Sequence, residues 1–360
     1  MKDLMPLSAS RIKTAQSCSW SYWANYILKV PDSSNDGAKR GWICHLIFEL
    51  LGNRRHREIY DELILRDSVF ECPPIKRLVQ YHARKLGVND VDNLKLMNNM
   101  ILAGLHFDFF GDKRGKPDKA ISEQEFNITI DEEGKLYRLR GFIDKLFLYK
   151  KESLAVIRDF KTSKSVFKGS ELTDNLQDLI YTLAVKKLFP EFTNREVEFL
   201  FVKFDLNSTG NVKMKDLSAE ELEGLEFQLT QIQDFLENFD EYDAVSGLAA
   251  TKYTENRGYP PDGSFGGLLK CGKDGYKISK GQPLLDKEGN KVVAYICPHR
   301  NPMKYYVLKD SSGKVVKSAI EENKCNLTPN KDAGETVELF SYAGCPHWNK
   351  PDTKRDDFFD

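Results

Sequence analysis

No apolar run in the sequence is long enough to cross a membrane. The longest, such as Phe199–Phe204, have strand length against the roughly 20 residues a span requires. Met1 to Ser10 carries no apolar stretch of signal-peptide length, so export by that route is not expected. Net charge is almost absent: 53 Lys+Arg against 54 Asp+Glu leave −1. Attraction to a polyanion therefore rests on a local patch. Cysteine is sparse, with seven residues spread over 360, an odd number unlike a small disulfide-knotted module. These absences lead to the expectation of a cytoplasmic protein with no membrane partner. No Gly-x4-Gly-Lys-Ser/Thr loop occurs, which leaves any ATP-driven motor to another chain, and no repeat of solenoid length is present. What the sequence does have is apolar bulk. Hydrophobic residues make up 41%, including 22 Phe, 15 Tyr and 4 Trp, enough to fill a large interior and to exclude a disordered polymer.

The chain changes character twice, which suggests three regions: 1–118, 119–248 and 249–360. The first reads as helical, with segments near Ser8–Leu28, Asn35–Leu51, Ile75–Lys85 and Leu94–Phe110. In the second the period shifts to strands. Ile121–Ile130 and Leu136–Tyr149 flank the turn-forming Asp131-Glu-Glu-Gly134, and Leu154–Phe160 follows a short connection. A helix over Leu176–Leu188 leads to strands at Val197–Phe204 and Val212–Met214. Ser218 with Glu221 then forms a capping box for a helix running to about Tyr242. Eight of the 14 prolines and four of the seven cysteines fall after Ala249, among the strand-like fragments Val292–Ile296, Tyr305–Leu308 and Val337–Ser341. A region of that kind has a thin core and needs a staple. The fold class expected is α/β: a mixed sheet flanked by helices, with a helical N-terminal cap and a Cys-bearing C-terminal extension.

The residues that carry chemistry cluster on the second hairpin. Leu154-Ala-Val-Ile157 is apolar on both faces, as a central strand is. Asp159 and Lys161 end that strand two residues apart and project to one face, with Phe160 on the other. A turn centred between Lys151 and Glu152 puts Asp144 opposite Asp159, where Cβ atoms lie about 5 Å apart. Two carboxylates that close repel unless a divalent cation lies between them. An Asp–Lys ion pair at a strand end is the plainer reading of Asp159 and Lys161 taken alone. In the Asn35–Leu51 segment, His45 and Glu49 share the polar face of an otherwise apolar helix. His45 is either a metal ligand or a core histidine paired with Glu49. Gln177 and Tyr181, also i and i+4, offer an amide and a hydroxyl to one site.

Taken in order, Leu7-Ser-Ala-Ser-Arg11, Cys18, Tyr22, Arg40-Gly41, His45, Gly141-Phe-Ile-Asp144, Asp159-Phe-Lys161-Thr162, Gln177 and Tyr181 resemble the RecB-like branch of the PD-(D/E)XK nucleases. That branch includes recombination nucleases and CRISPR-associated adaptation exonucleases. The resemblance implies a restriction-endonuclease-like sheet and a metal-dependent DNA nuclease using Mg²⁺ or Mn²⁺. An exonuclease in recombination, repair or phage DNA processing is expected, served by a helicase, annealing protein or integrase partner. It further implies that His45, Asp144 and Asp159 bind the metal with the Phe160 carbonyl, and that Lys161 assists the attacking water. Gln177 and Tyr181 would support the site and contact DNA. The reading of a different class is a catalytically inactive DNA-binding or scaffold subunit that kept the fold.

Cys18 stands where iron–sulfur members of that branch place their first cluster ligand, and the resemblance assigns Cys271, Cys297 and Cys345 as the others of a 4Fe-4S cluster. Cys297-Pro-His299 and Cys345-Pro-His347 echo the Cys-Pro context of cluster ligands. The alternative is a structural Zn²⁺ held by Cys271, Cys297, Cys325 and Cys345. Those four are spaced more widely than either pattern usually allows. Basic groups near Arg54–Arg55, Arg84–Lys85, Lys161–Lys168 and Lys270–Lys280 are candidates for phosphate contact, interleaved in the tail with aromatics.

Overall fold

Residues 4–31, 35–248, 278–279, 282–285, 289–292, 297–320 and 327–349 are described by the structure, a computed structural model. The chain divides into two compact units: Met1–Ala9 with Ser34–Glu237, and Ser10–Ser33 with Asn238–Asp360. The single helix expected over Ser8–Leu28 is interrupted. Cys18 takes an extended conformation (φ −161°, ψ 112°) between α1 (Ala9–Ser17) and α2 (Ser19–Tyr22), and a π-helical turn spans Trp23–Ile27.

In the first unit, α3 (Asp36–Gly52) starts at Asn35, whose side chain accepts the Ala38 N–H at 3.0 Å. Ile43, Ile47 and Leu51 recur every fourth position and share one buried stripe, completed by Phe48. Next comes α4 (Arg57–Arg66), which the sequence pattern did not suggest because its only buried residue is Leu63. It precedes α5 (Pro73–Leu86) and α6 (Val91–His106), whose Val79, Met97, Ile101 and Leu105 pack with the α3 stripe in one core. The sheet then forms in the order β1 (Lys119–Glu132), β2 (Lys135–Tyr149), β3 (Leu154–Lys161), β4 (Asn194–Phe201) and β5 (Asn211–Lys213). All pairs are antiparallel except β3 with β4, which α7 (Leu176–Leu188) connects as a crossover. The chain has the mixed α/β architecture expected, and β3 is its central, fully buried strand up to Phe160. The Phe160 ring stacks on Phe48 at 4.2 Å and ties β3 to α3. Burying each such ring contributes about 1.5–3 kcal/mol. The helix α8 (Ala219–Glu237) closes this unit, ending before the expected Tyr242.

The second unit pairs the strands Thr336–Tyr342, Met303–Lys309 and Val315–Ala319 in that order. Its core gathers Trp20, Ala24, Val30, Tyr305, Val307, Tyr342 and Cys345. The short helix α9 (Glu241–Ser246) follows the Asp240 capping box. The Ser19 hydroxyl donates to the Ala244 carbonyl at 2.8 Å, and the Ser19 N–H to that of Gly247 at 3.2 Å. These bonds fix the segment that follows the break at Cys18. Of the strand expected at Val292–Ile296, residues 293–296 lie outside the described set, as do Cys271, Cys325 and most of Lys270–Lys280.

Candidate active site

Two close approaches allow the site to assemble. At Gly41 a Cβ would lie 2.6 Å from Thr162 Oγ1, so glycine lets α3 rest against the end of β3 without displacing the Thr162 hydroxyl. At Gly141, which pairs with Phe126 across β1 and β2, a Cβ would lie 2.5 Å from the Phe126 ring. With α3 seated, His45 Nδ1 comes to 3.3 Å from Asp144 Oδ2. Glu49 is exposed and does not pair with it. The register of the second hairpin is the expected one: Lys145 faces Arg158, which sets Asp144 and Asp159 at the next step. Asp144 Oδ2 also accepts the Phe160 N–H at 2.7 Å, which holds the carboxylate at the strand end.

Glu123 was not singled out from the sequence. It lies in β1 between the pairs Ser122–Lys145 and Gln124–Ile143, so its register position is opposite Asp144. Its φ of 50° is left-handed, a conformation uncommon for a non-glycine residue and rarer still inside a strand. His45, Glu123 and Asp144 each bring a donor atom within 4.8 Å of the others, one nitrogen and two carboxylates suited to a divalent cation. The available signal was the run Glu123-Gln-Glu125 in a strand paired with β2.

Asp159 stands beside this group with both oxygens engaged. Its Oδ2 pairs with Lys161 Nζ at 2.7 Å, and its Oδ1 accepts Gln177 Nε2 at 2.7 Å. Lys161 Nζ donates onward to Gln177 Oε1 at 2.6 Å. The Tyr181 hydroxyl accepts from Gln177 Nε2 at 2.7 Å. Its single proton has two acceptors in reach, the Phe142 carbonyl at 2.7 Å and Asp159 Oδ1 at 3.1 Å. Gln177 and Tyr181 reach the strand ends because Asn175 caps α7, accepting the Gln177 N–H at 3.0 Å. All the expected residues on β2, β3, α3 and α7 thus converge.

Charge is crowded here. Burial raises the Asp159 carboxyl, which Asp144 raises further and Lys161 opposes. Burial, Asp144 and Glu49 push Glu123 up to about 7. Burial alone would lower the His45 imidazole, but Asp144, Asp159 and Glu123 lift it to about 9. Three carboxylates and one histidine in this state are what a bound divalent cation would relieve.

In the second unit, Cys18, Cys297 and Cys345 line one cavity of about 360 Å³, together with His299 and Trp20. Burial raises the Cys345 thiol, while hydrogen bonds from the His347 and Trp348 N–H groups lower it.

A family model of the PD-(D/E)XK nuclease superfamily matches residues 6–255. No curated protein matches the sequence. Among solved structures, one titled "Crystal structure of SSO0001" is 14% identical, covering 52% of this chain and 90% of its own, with a TM-score of 0.23. Among the described residues no helix is long and apolar enough to cross a membrane.

Proposed function

The chain belongs to the PD-(D/E)XK nuclease superfamily, and from that premise we propose that it is a Mg²⁺- or Mn²⁺-dependent deoxyribonuclease of the RecB-like branch. The observation that carries this reading is the His45–Glu123–Asp144 group set beside the Asp159–Lys161–Gln177 chain. His45, Asp144 and Asp159, with the Phe160 carbonyl and now Glu123, are the residues that would hold the ion. The ion would supply Lewis-acid polarisation of a phosphoryl oxygen and lower the pKa of the attacking water. Lys161 orients that water and offsets charge growing on the phosphorus oxygens. Gln177 holds the Lys161 ammonium through its carbonyl and Asp159 through its amide, so both functional ends are kept in one geometry. Tyr181 braces Gln177 from the next turn of α7.

The intact acid–lysine pair favours an enzyme over an inactive scaffold, because buried charge is costly to retain without use. We read the activity as exonucleolytic, in recombination, repair or phage DNA processing, with a helicase, annealing protein or integrase as partner in the cytoplasm. The test is cleavage of end-labelled linear against circular DNA with Mg²⁺, Mn²⁺ or chelator. Turnover confined to linear DNA, lost on chelation and in Asp144→Asn, supports the reading; equal cleavage of circular DNA removes the exonuclease part. Metal-independent cleavage, or full rates in Asp144→Asn, rejects the site.

For the second unit we propose a 4Fe-4S cluster rather than a zinc ion. Cys18 lines the same cavity as Cys297 and Cys345, and Cys18 belongs to the cluster ligand set but not to the zinc one. Cys271, outside the described residues, is the proposed fourth ligand. The cluster would staple the unit and supply folding energy. Anaerobically purified protein should be brown with about four irons per chain. Colourless protein holding zinc instead, with Cys18 dispensable and Cys325 required, would decide for the Cys271, Cys297, Cys325 and Cys345 site.

A further inference from the structure

A cavity of the first unit, about 890 Å³, opens where the start of α3 meets the residues that follow Lys161. Its lining includes Gly37 and Arg40 of α3, Thr162, Lys164 and Lys203. Arg40 is only 8% exposed. One of its nitrogens, Nη1, donates to the Asn93 amide oxygen, and its buried Nε has no hydrogen-bond partner among the described residues. No carboxylate lies within ion-pair distance of it among the described residues. The other terminal nitrogen, Nη2, faces the first turn of α3, 3.9 Å from where a Gly37 Cβ would stand. Burial pushes the Lys203 ammonium down, and the charges of Arg40 and Lys164 push it further. Asp36 also lines the cavity, but it is exposed and its carboxylate lies 3.8 Å from Lys39. A buried guanidinium with two lysines around it, facing the N-terminal end of a 17-residue helix, lacks an anion.

We propose that this cavity binds a phosphate group of the nucleic acid, displaced along the strand from the one being cleaved. The proposal rests on the nuclease reading for the identity of the phosphate's carrier. Arg40 lies five positions before His45 on α3, about 7.5 Å of helix rise. Thr162 adjoins both Lys161 in the chain and Gly41 in space, so the two sites share a wall. Arg40 supplies the planar fork, Lys164 and Lys203 the charge, and the α3 N-terminus its dipole. A phosphate held here fixes the strand's register over the metal group.

The experiment uses metal-free full-length protein and two probes. Inorganic phosphate is titrated by calorimetry into wild type, Lys164→Ala/Lys203→Ala and Arg40→Lys. Fluorescent single-stranded oligonucleotides, ending in a 5′-phosphate or a 5′-hydroxyl, are bound over a range of salt. Saturable phosphate binding in wild type, weakened at least tenfold in the lysine double variant, is expected. The slope of log affinity against log salt should fall by about 0.7 in that variant. An equal fall for both oligonucleotides identifies an internal phosphodiester; a fall only for the 5′-phosphorylated strand identifies a terminal monoester, and either supports the site. Absent phosphate binding with an unchanged slope overturns it. Circular dichroism melting of each variant separates lost binding from lost folding, and the lysine double variant keeps the test open if Arg40→Lys fails to fold. Cleavage of DNA separates the two claims. Phosphate bound without any DNA cleavage rejects the nuclease reading alone. Cleavage with normal KM in the double variant rejects the subsite alone.

Discussion

Glu123 combines a left-handed backbone with a carboxyl pushed up to about 7, so two separate costs meet at one residue. A left-handed non-glycine residue costs about 1–2 kcal/mol, and like charges crowd it further. Such costs persist where a function holds them in place. Glu123→Gln should therefore stabilise the metal-free protein, because it removes one charge from beside Asp144. The same change should shrink the rise in melting temperature that Mn²⁺ produces. A ligand at a hundredfold excess over Kd stabilises by about 2.7 kcal/mol, and each tenfold loss of affinity removes about 1.4. Melting with and without Mn²⁺ checks both halves, and an undiminished Mn²⁺ effect would show that Glu123 holds no metal. Most of this site was legible: His45, Asp144, Asp159, Lys161, Gln177 and Tyr181 stand at helix and strand-end spacings that place side chains on one face. Glu123 was not, because its position depends on the β1–β2 register. Its aim also depends on a backbone conformation that no local propensity favours. Nor could spacing show that both Asp159 oxygens are held by Lys161 and Gln177.

Glu226 works between elements. It draws α8 onto β2 and α7 through Lys135 at 2.8 Å, Tyr137 at 2.6 Å and Lys187 at 2.9 Å. Burial alone would raise its carboxyl, but these three partners outweigh it and bring the value down to about 2. A carboxylate whose folded value is depressed contributes stability above its unfolded value, near 4.3, and loses it as pH falls toward 2. The full linkage is worth about 3 kcal/mol. Urea melts of wild type and Glu226→Gln should therefore differ by about 2–3 kcal/mol at pH 6, and the gap should close progressively between pH 4.5 and pH 2. A gap independent of pH would place the effect in packing instead. At this scale the sequence showed elements best where one face is strongly apolar, as in α3 and β3. It missed α4, which buries a single residue. It joined α1 to the π-helical turn at Trp23–Ile27, because the break at Cys18 goes with the bonds that Ser19 makes to the distant Ala244 and Gly247 rather than with a local breaker.

The chain leaves one compact unit and returns, lending Ser10–Ser33 to a unit otherwise built from its last third. No periodicity signals such an exchange, since the segment is as helical as its neighbours. Cys18 was the one residue whose proposed role linked the first helices to the tail. The metal group lies wholly in the first unit and the three cysteines wholly in the second. Each ligand should therefore stabilise its own unit, because binding raises only the folded state that holds the site. A chain of two units need not melt in one transition. Calorimetry should show two, with Mn²⁺ raising one and cluster loading the other. Cys18→Ser should lower the cluster-linked transition by several degrees and leave the Mn²⁺ response of the first intact. Asp144→Asn should abolish that response and spare the second. A single transition, shifted alike by Mn²⁺ and by Cys18→Ser, would mean that the two units fold as one and that the staple supports the nuclease core directly.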